Sequence, residues 1–416
     1  MKRTTLKTRL WALAATLLLL VSLLAMPTSA ENVAPTTNLE TTFDKYLVMD
    51  TNANVPNVEF EFKITAGAAA NATTGSSRSI YAGDDALRVE GFPVLKVDGT
   101  GNTTTAKVNF VAGDTTTYDR VQDGDILVLG EKEKYAKKTV TVDFNAVDFN
   151  APGIYRYIIT EKTDETQQGI SYDNPNTRTL DVFVEYDDAD QGTLKVSNYI
   201  LYPGTKTDTA DVNDGTKDDG FTNTYTTYDL TLAKTVTGNQ GDRDKFFKFT
   251  VTISNAVPGT VYDVTIPTTD APTQNDLEQG DSIDNVNLDK LTVGSAQAPE
   301  TTGSVTATYY IKHNQSIVIQ GLTSDTAYTI TETDYSTDGY TTTYAIDGGE
   351  PVTAIATPSE NNTMNGADHT VTFTNHKQGT VPTGILLETA PYLILGAVVV
   401  VGLVVLFATR RRRTRE

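Results

Sequence analysis

The chain has 416 residues, 33 of them basic and 53 acidic, with a formal net charge of −20 and no cysteine. Acidity of that size argues against nucleic acid or an anionic membrane surface as a partner. The missing thiols exclude disulfides and cysteine chemistry, and the length suits two domains or three.

The first segment reads as an export signal. Lys2, Arg3, Lys7 and Arg9 form a basic start, Leu10 to Leu24 an apolar run, and Thr28-Ser29-Ala30 a small-residue cleavage site, with the cut between Ala30 and Glu31. The single tryptophan, Trp11, lies in this segment. The exported chain is therefore a poor composition for a lectin that stacks sugars on indole.

Beyond Glu31 the chain is rich in Thr, Val, Asp, Asn and Gly. Val58-Glu59-Phe60-Glu61-Phe62-Lys63-Ile64 alternates apolar with charged residues, the period of a half-buried strand. Val140 to Phe144, Tyr155 to Glu161 and Leu180 to Tyr186 behave alike, and Asn, Gly, Asp and Pro clusters separate them. No long helical period occurs outside the two terminal segments. The pattern predicts an all-β chain of antiparallel sandwiches.

The chain also repeats itself. Tyr157-Ile158-Ile159-Thr160-Glu161 returns as Tyr328-Thr329-Ile330-Thr331-Glu332, and Phe221-Thr222-Asn223 returns as Phe373-Thr374-Asn375. Asp44-Lys45-Tyr46-Leu47 has an echo in Leu232-Ala233-Lys234-Thr235. The order Lys, Glu, Asn thus occurs twice. It predicts two similar domains, 31–224 and 225–378, between a signal at 1–30 and a tail at 379–416.

Alternation along the strands places these six polar residues on faces that are otherwise apolar. Lys45 shares its face with Phe43, Leu47 and Met49, and Lys234 with Leu230, Leu232 and Val236. Glu161 and Glu332 share theirs with Tyr and Ile, Asn223 with Phe221 and Tyr225, and Asn375 with Val371 and Phe373. Burying an unpaired charge costs several kcal/mol or forces neutralisation. Burial lowers a lysine pKa towards a neutral amine and raises a glutamate pKa towards the protonated acid. A neutral lysine can attack an asparagine carboxamide while the acid polarises the carbonyl and shuttles protons, giving an isopeptide bond and ammonia. On the residues alone, two alternatives stay open: three ordinary buried polar groups sharing hydrogen bonds, or strands of a different register.

The tail runs Gly379-Thr380-Val381-Pro382-Thr383-Gly384, then an apolar stretch through Ala408, then Arg410 to Arg413 and Arg415. The apolar stretch is just long enough to span a bilayer, with the arginines on the cytoplasmic side. The arrangement resembles the sorting signal read by Gram-positive sortases, which implies cleavage between Thr383 and Gly384 and transfer of the Thr383 carbonyl to an amine. The motif departs from Leu-Pro-any-Thr-Gly, because Pro382 directly precedes Thr383, with Val381 before it. That variant is similar to the one on streptococcal-type major pilins and favours a pilus-class sortase. A plain membrane anchor is the alternative.

At Thr231 to Gly238 with Gly241-Asp242-Arg243, at Ile330 to Tyr335, and at Phe373-Thr374-Asn375 leading into Val381 to Gly384, the chain resembles the Gram-positive major pilins that carry intramolecular isopeptide bonds, of the streptococcal T-antigen type. The likeness spans nearly the whole exported chain and is strongest in the second domain. It implies Ig-like sandwiches stacked in a shaft, with a Lys45–Asn223 bond assisted by Glu161 and a Lys234–Asn375 bond assisted by Glu332. Each bond would close a loop holding most of its domain. If the chain-entropy estimate for disulfides carries over, each adds about 5 kcal/mol. Tension applied at the ends would run through the covalent links. The likeness also implies a lysine that receives the Thr383 carbonyl of the next subunit. Lys217, six residues before Asn223, is preferred; Lys206, after Tyr202-Pro203-Gly204-Thr205, is its rival.

Other chemistry finds little support. The acidic run Asp208 to Asp219 lacks the oxygen spacing of an EF-hand and reads as a solvated loop. His313, His369 and His376 have no metal-ligand spacing, and no nucleophile elbow or P-loop is present. The expectation is a structural shaft subunit of a sortase-assembled, peptidoglycan-anchored pilus. It needs no cofactor or metal and turns over no substrate. Its partners would be a sortase, identical subunits, peptidoglycan and a host receptor. The alternatives are a monomeric wall-anchored adhesin and a secreted surface hydrolase.

Overall fold

The computed structural model describes residues 39–71, 79–118, 127, 129–164, 167–186, 194–207, 217–294, 302–357 and 362–379. The chain divides into two compact units. The first takes in the chain to Met49, then Val58–Phe110 and Asp114–Tyr225; the second takes in Asp50–Asn57, Val111–Gly113 and the chain from Thr226 onward. Regular structure among the described residues is all β, apart from three short 3-10 turns at Gln274–Asp276, Ile283–Asn285 and Ser336–Asp338. No helix among the described residues is long and apolar enough to cross a membrane.

The first unit is two facing sheets. One orders the strands Ile170–Ser171, Gly220–Tyr225, Glu40–Asp50, Glu133–Asp143, Val94–Val97 and Thr100–Thr103, with Thr116–Thr117 on the side of Glu133–Asp143. Its centre is unusual: Glu40–Asp50 and Gly220–Tyr225, the first and last strands of the unit, lie side by side and parallel. Gly220 opposes Asp44, and a β-carbon there would sit 1.8 Å from the Asp44 carbonyl oxygen. Only glycine lets the closing strand approach so closely at that point. The other sheet orders Leu194–Pro203, Thr177–Tyr186, Gly153–Glu161, Val58–Ala66 and Thr105–Phe110, with Ile80–Ala82 beside Gly153–Glu161.

Val58–Ala66 keeps the expected alternation, with Val58, Phe60, Phe62 and Ile64 inward. Gly153–Glu161 does not. It is buried on both faces, against the half-buried expectation. The physical reason is Arg156, which projects on the face opposite Tyr155 and Tyr157 and is 0% exposed. Its guanidinium makes a two-armed pair with Asp181, at 2.7 and 2.8 Å, and donates to the Lys206 carbonyl at 3.1 Å. The buried charge is thus fully bonded, which is the condition for tolerating it.

The second unit repeats the plan with fewer strands. A six-stranded sheet orders Lys290–Thr292, Val261–Thr265, Ser316–Leu322, Tyr228–Thr237, His369–His376 and Thr341–Ile346. Gly303–Ile311, Phe247–Ala256 and Ala327–Glu332 form the facing sheet. The first and last strands, Tyr228–Thr237 and His369–His376, are again parallel neighbours. Leu230, Leu232, Phe249, Val251, Ile330 and Phe373 belong to the core between the layers.

Candidate functional site

Each unit closes a lysine, a glutamate and an asparagine into its core. Lys45, Glu161 and Asn223 are 0% exposed; Lys234 is 1% and Glu332 and Asn375 are 0% exposed. The lysine comes from the first strand, the asparagine from the parallel last strand, and the glutamate from the end of a strand in the facing sheet. The register is the same in both. Asn223 opposes Leu47, two residues beyond Lys45, and Asn375 opposes Val236, two residues beyond Lys234. A spacing of two keeps lysine and asparagine on one face and makes them diagonal neighbours.

A single carboxylate oxygen sits between amine and carboxamide. Glu161 Oε1 lies 2.7 Å from Lys45 Nζ and accepts a hydrogen bond from Asn223 Nδ2 at 2.8 Å. Glu332 Oε1 lies 2.8 Å from Lys234 Nζ and accepts from Asn375 Nδ2 at 3.0 Å. The second oxygen of each glutamate, Oε2, is buried without a hydrogen-bond partner. Each ammonium makes an ion-pair contact but no well-aligned hydrogen bond. Buried groups satisfied so incompletely are rare outside functional sites.

The surroundings match as well. Lys45 Nζ is 4.6 Å from the centre of the Phe60 ring, and Lys234 Nζ is 4.4 Å from that of Phe247. Phe62 pairs with Glu161, and Phe249 with Glu332. Phe221 and Phe373, each two residues before the asparagine, pack against those rings at 5.1 and 5.3 Å. This dry aromatic lining disfavours charge. Burial lowers both lysine pKa values to about 8, against the opposing pull of the neighbouring glutamate. Burial also raises both glutamates, although the lysines pull the other way. Both shifts narrow the gap across which a proton would pass from amine to acid, the transfer that would leave a nucleophilic amine beside a carboxamide.

The two sites differ at the carboxamide oxygen. Asn223 Oδ1 accepts from the backbone N–H of Asp173 at 2.9 Å. Asn375 Oδ1 accepts from the Thr342 hydroxyl at 3.1 Å. Sequence reasoning missed both donors. Thr342 alternates inward with Tyr340 and Tyr344, a signal available in the sequence, whereas a backbone donor leaves none.

Lys206 and Lys217 both lie in the first unit and are half-buried. The Lys206 backbone is held from two sides, by Arg156 and by the Thr179 hydroxyl. Lys217 lies three residues before Gly220, and the adjacent Asp218 pairs with Arg178 at 2.5 Å. The acidic run is not wholly solvated. Asp218 has a nearly buried side chain, and Asp219 accepts from the Tyr46 hydroxyl at 2.8 Å. Arg178 draws the Asp218 carboxylate inward, while Asp219 stays exposed with Tyr46 as its partner. The three histidines serve local bonds. His313 Nδ1 accepts from the Val236 N–H, His369 pairs with Asp347, and His376 meets Thr237. No cluster of potential metal ligands occurs among the described residues. Ala30, Glu31, Val381, Pro382, Thr383, Gly384 and the apolar tail lie outside the described residues.

Fold and site together define a class: tandem β-sandwich proteins whose first and last strands meet over a buried Lys–Glu–Asn set. Residues 41–226 match the family described as Spy0128-like isopeptide containing domain. Residues 228–377 match a domain of unknown function, DUF7601. A pilin of Streptococcus pyogenes serotype M1 is 28% identical over 388 residues, covering 92% of this chain and 94% of that protein. Among solved structures, the major pilin of Streptococcus pyogenes is 24% identical, covering 83% of this chain and all of that one, with a TM-score of 0.49. The T3.2 major pilin of the same species is 19% identical, covering 82% and 99%, also at 0.49. The first unit thus matches the isopeptide-containing domain family, and along nearly its whole length the chain is similar to a streptococcal pilin.

Proposed function

We propose that the chain is the backbone subunit of a sortase-assembled, wall-anchored pilus, stiffened by Lys45–Asn223 and Lys234–Asn375 isopeptide bonds that its two Ig-like domains make for themselves. The observation that carries the reading is repetition: the same three residues, in the same register, with the same aromatic lining, occur in both units. A shared hydrogen-bond cluster would not need the lysine in the first strand and the asparagine in the last one twice over.

In each domain the neutral lysine adds to the asparagine carbonyl while the glutamate, carrying the proton taken from the amine, assists the carbonyl and then the departing nitrogen. The Cγ–Nδ2 bond breaks, ammonia leaves, and the new amide joins the two strands. This is one event per molecule and no enzymatic turnover. Residues 1–30 direct export, the apolar tail holds the precursor in the membrane, and a pilus-class sortase cuts after Thr383. Lys217 of an identical subunit, or its rival Lys206, receives the carbonyl, and the last subunit passes to peptidoglycan. A monomeric adhesin is the less favoured reading, since a protein called a pilin aligns along nearly its whole length with this chain.

The test is the intact mass of the purified exported region. Two bonds make it two ammonia molecules lighter than its sequence. Glu161→Ala and Glu332→Ala each restore one. A full sequence mass in the unsubstituted protein would overturn the cross-linking.

A further inference from the structure

The two sites hold the asparagine oxygen differently, and the difference assigns a residue. Thr342 lies on Thr341–Ile346, directly opposite Asn375 on the neighbouring strand. It is 7% exposed, and Tyr340, just before the strand, and Tyr344, on it, are buried too. Its hydroxyl donates to Asn375 Oδ1 at 3.1 Å, while Asn375 Nδ2 donates to Glu332 Oε1 at 3.0 Å. The carboxamide is therefore gripped at both atoms, and its carbonyl carbon is presented beside Lys234. A buried threonine hydroxyl costs free energy wherever an apolar residue of the same shape fits, unless its bond is used.

We propose that Thr342 is a catalytic residue of bond formation in the second domain, its hydroxyl serving as the donor that stabilises the oxyanion on Asn375. The proposal rests on the cross-linking reading above. When Lys234 Nζ adds to Asn375 Cγ, a C–N bond forms and the carbonyl electron pair moves onto Oδ1. The hydroxyl is within hydrogen-bond reach of that atom, with Glu332 as its other polar neighbour. The pair then returns, the Cγ–Nδ2 bond breaks, and Nδ2 leaves as ammonia with the proton that Nζ gave up, carried by Glu332. In the first domain the Asp173 N–H occupies the same place on Asn223 Oδ1. That loop is held by the Asp173 carboxylate, which accepts from Thr222 N at 2.9 Å and from Arg178 at 2.5 Å. One domain thus uses a backbone donor and the other a side chain, so only the second loses its donor by a side-chain change that leaves the backbone amides intact.

The first domain supplies an internal clock. The full-length chain is made by cell-free synthesis, quenched at intervals and digested. The cross-linked peptide pairs Lys45–Asn223 and Lys234–Asn375 are then quantified by mass. Thr342→Val is expected to slow the second pair by about 10²- to 10³-fold, the usual effect of removing one oxyanion donor. The first pair should keep its rate, and Thr342→Ser should restore the second. Folding is monitored separately in a Lys234→Met background, which cannot cross-link. There Thr342→Val, which leaves Asn375 Oδ1 without its donor, should lower the unfolding midpoint of the second domain but leave it fully folded at the temperature of synthesis. Two results would overturn the assignment: an unchanged rate in Thr342→Val, or a Thr342→Ser chain as slow as Thr342→Val. Absence of the second pair from the unsubstituted chain is a distinct result, which removes the cross-linking reading and this role with it.

Discussion

Six side chains were legible at the residue scale because each breaks an apolar alternation, and repetition of the break in the same order made it a signal. What stayed illegible was what surrounds them. Nothing in the local sequence says that Phe60 and Phe247 lie over the two amines, since those contacts cross from one sheet to the other. Thr342 offered only its alternation with Tyr340 and Tyr344, which marks it as inward but not as a partner of Asn375. The lining has a measurable consequence in a chain that cannot cross-link. In Asn375→Ala the amine stays free in the core, with a folded pKa near 8 against 10.5 unfolded. Between those values the unfolded chain binds more protons, so stability of the second domain rises with pH across that window. The glutamate works in the opposite sense. Its folded pKa is raised, so stability falls as pH climbs through the acid range above 4.5. Denaturant titrations from pH 8 to 10.5 should show that rise in Asn375→Ala and not in the unsubstituted protein, where the proposed bond would leave the lysine nothing to titrate. Glu332→Ala removes the lysine's partner as well as its cross-link. Its second domain should lose the roughly 3–5 kcal/mol expected for a broken buried pair, in addition to the loss of the bond.

At the scale of elements, alternation identified Val58–Ala66 almost residue for residue, because one face meets the core and the other meets water. It misjudged Gly153–Glu161, whose outer face buries the Arg156–Asp181 pair as well as Ile154 and Ile158; a period-two reading takes Arg156 for solvent. The parallel pairing of first and last strands was beyond reach too, since parallel neighbours share no turn that could mark them. Register is nevertheless what the chemistry depends on, and that can be tested. Exchanging Thr374 and Asn375 moves the carboxamide by one residue, to the other face of His369–His376. The composition is unchanged, the strand can still form, and the second domain should keep its ammonia. Mass spectrometry of the doubly substituted chain should find only the first bond.

For the whole molecule, prediction concerns assembly. With a purified pilus-class sortase, or in wall extracts of producing cells, the unsubstituted chain should form a ladder of high-mass species resistant to boiling in detergent. Lys217→Ala should abolish the ladder and Lys206→Ala should leave it; the reverse result would transfer the acceptor role to Lys206. Each unit also has a direction. Its opening and closing strands are parallel, so the chain enters a sandwich at one pole and emerges at the other. An antiparallel closing strand would have returned the chain to the pole where it came in. Lys217 stands just ahead of Gly220, which is level with Asp44 near the start of the opening strand. Lys217, the acceptor proposed above, is thereby placed at the entry pole of the first unit, while Thr383 comes after the closing strand of the second in sequence. In a polymer joined as proposed, each junction would run from the tail of one subunit to the entry pole of the next one's first unit, so its two sides are never interchangeable.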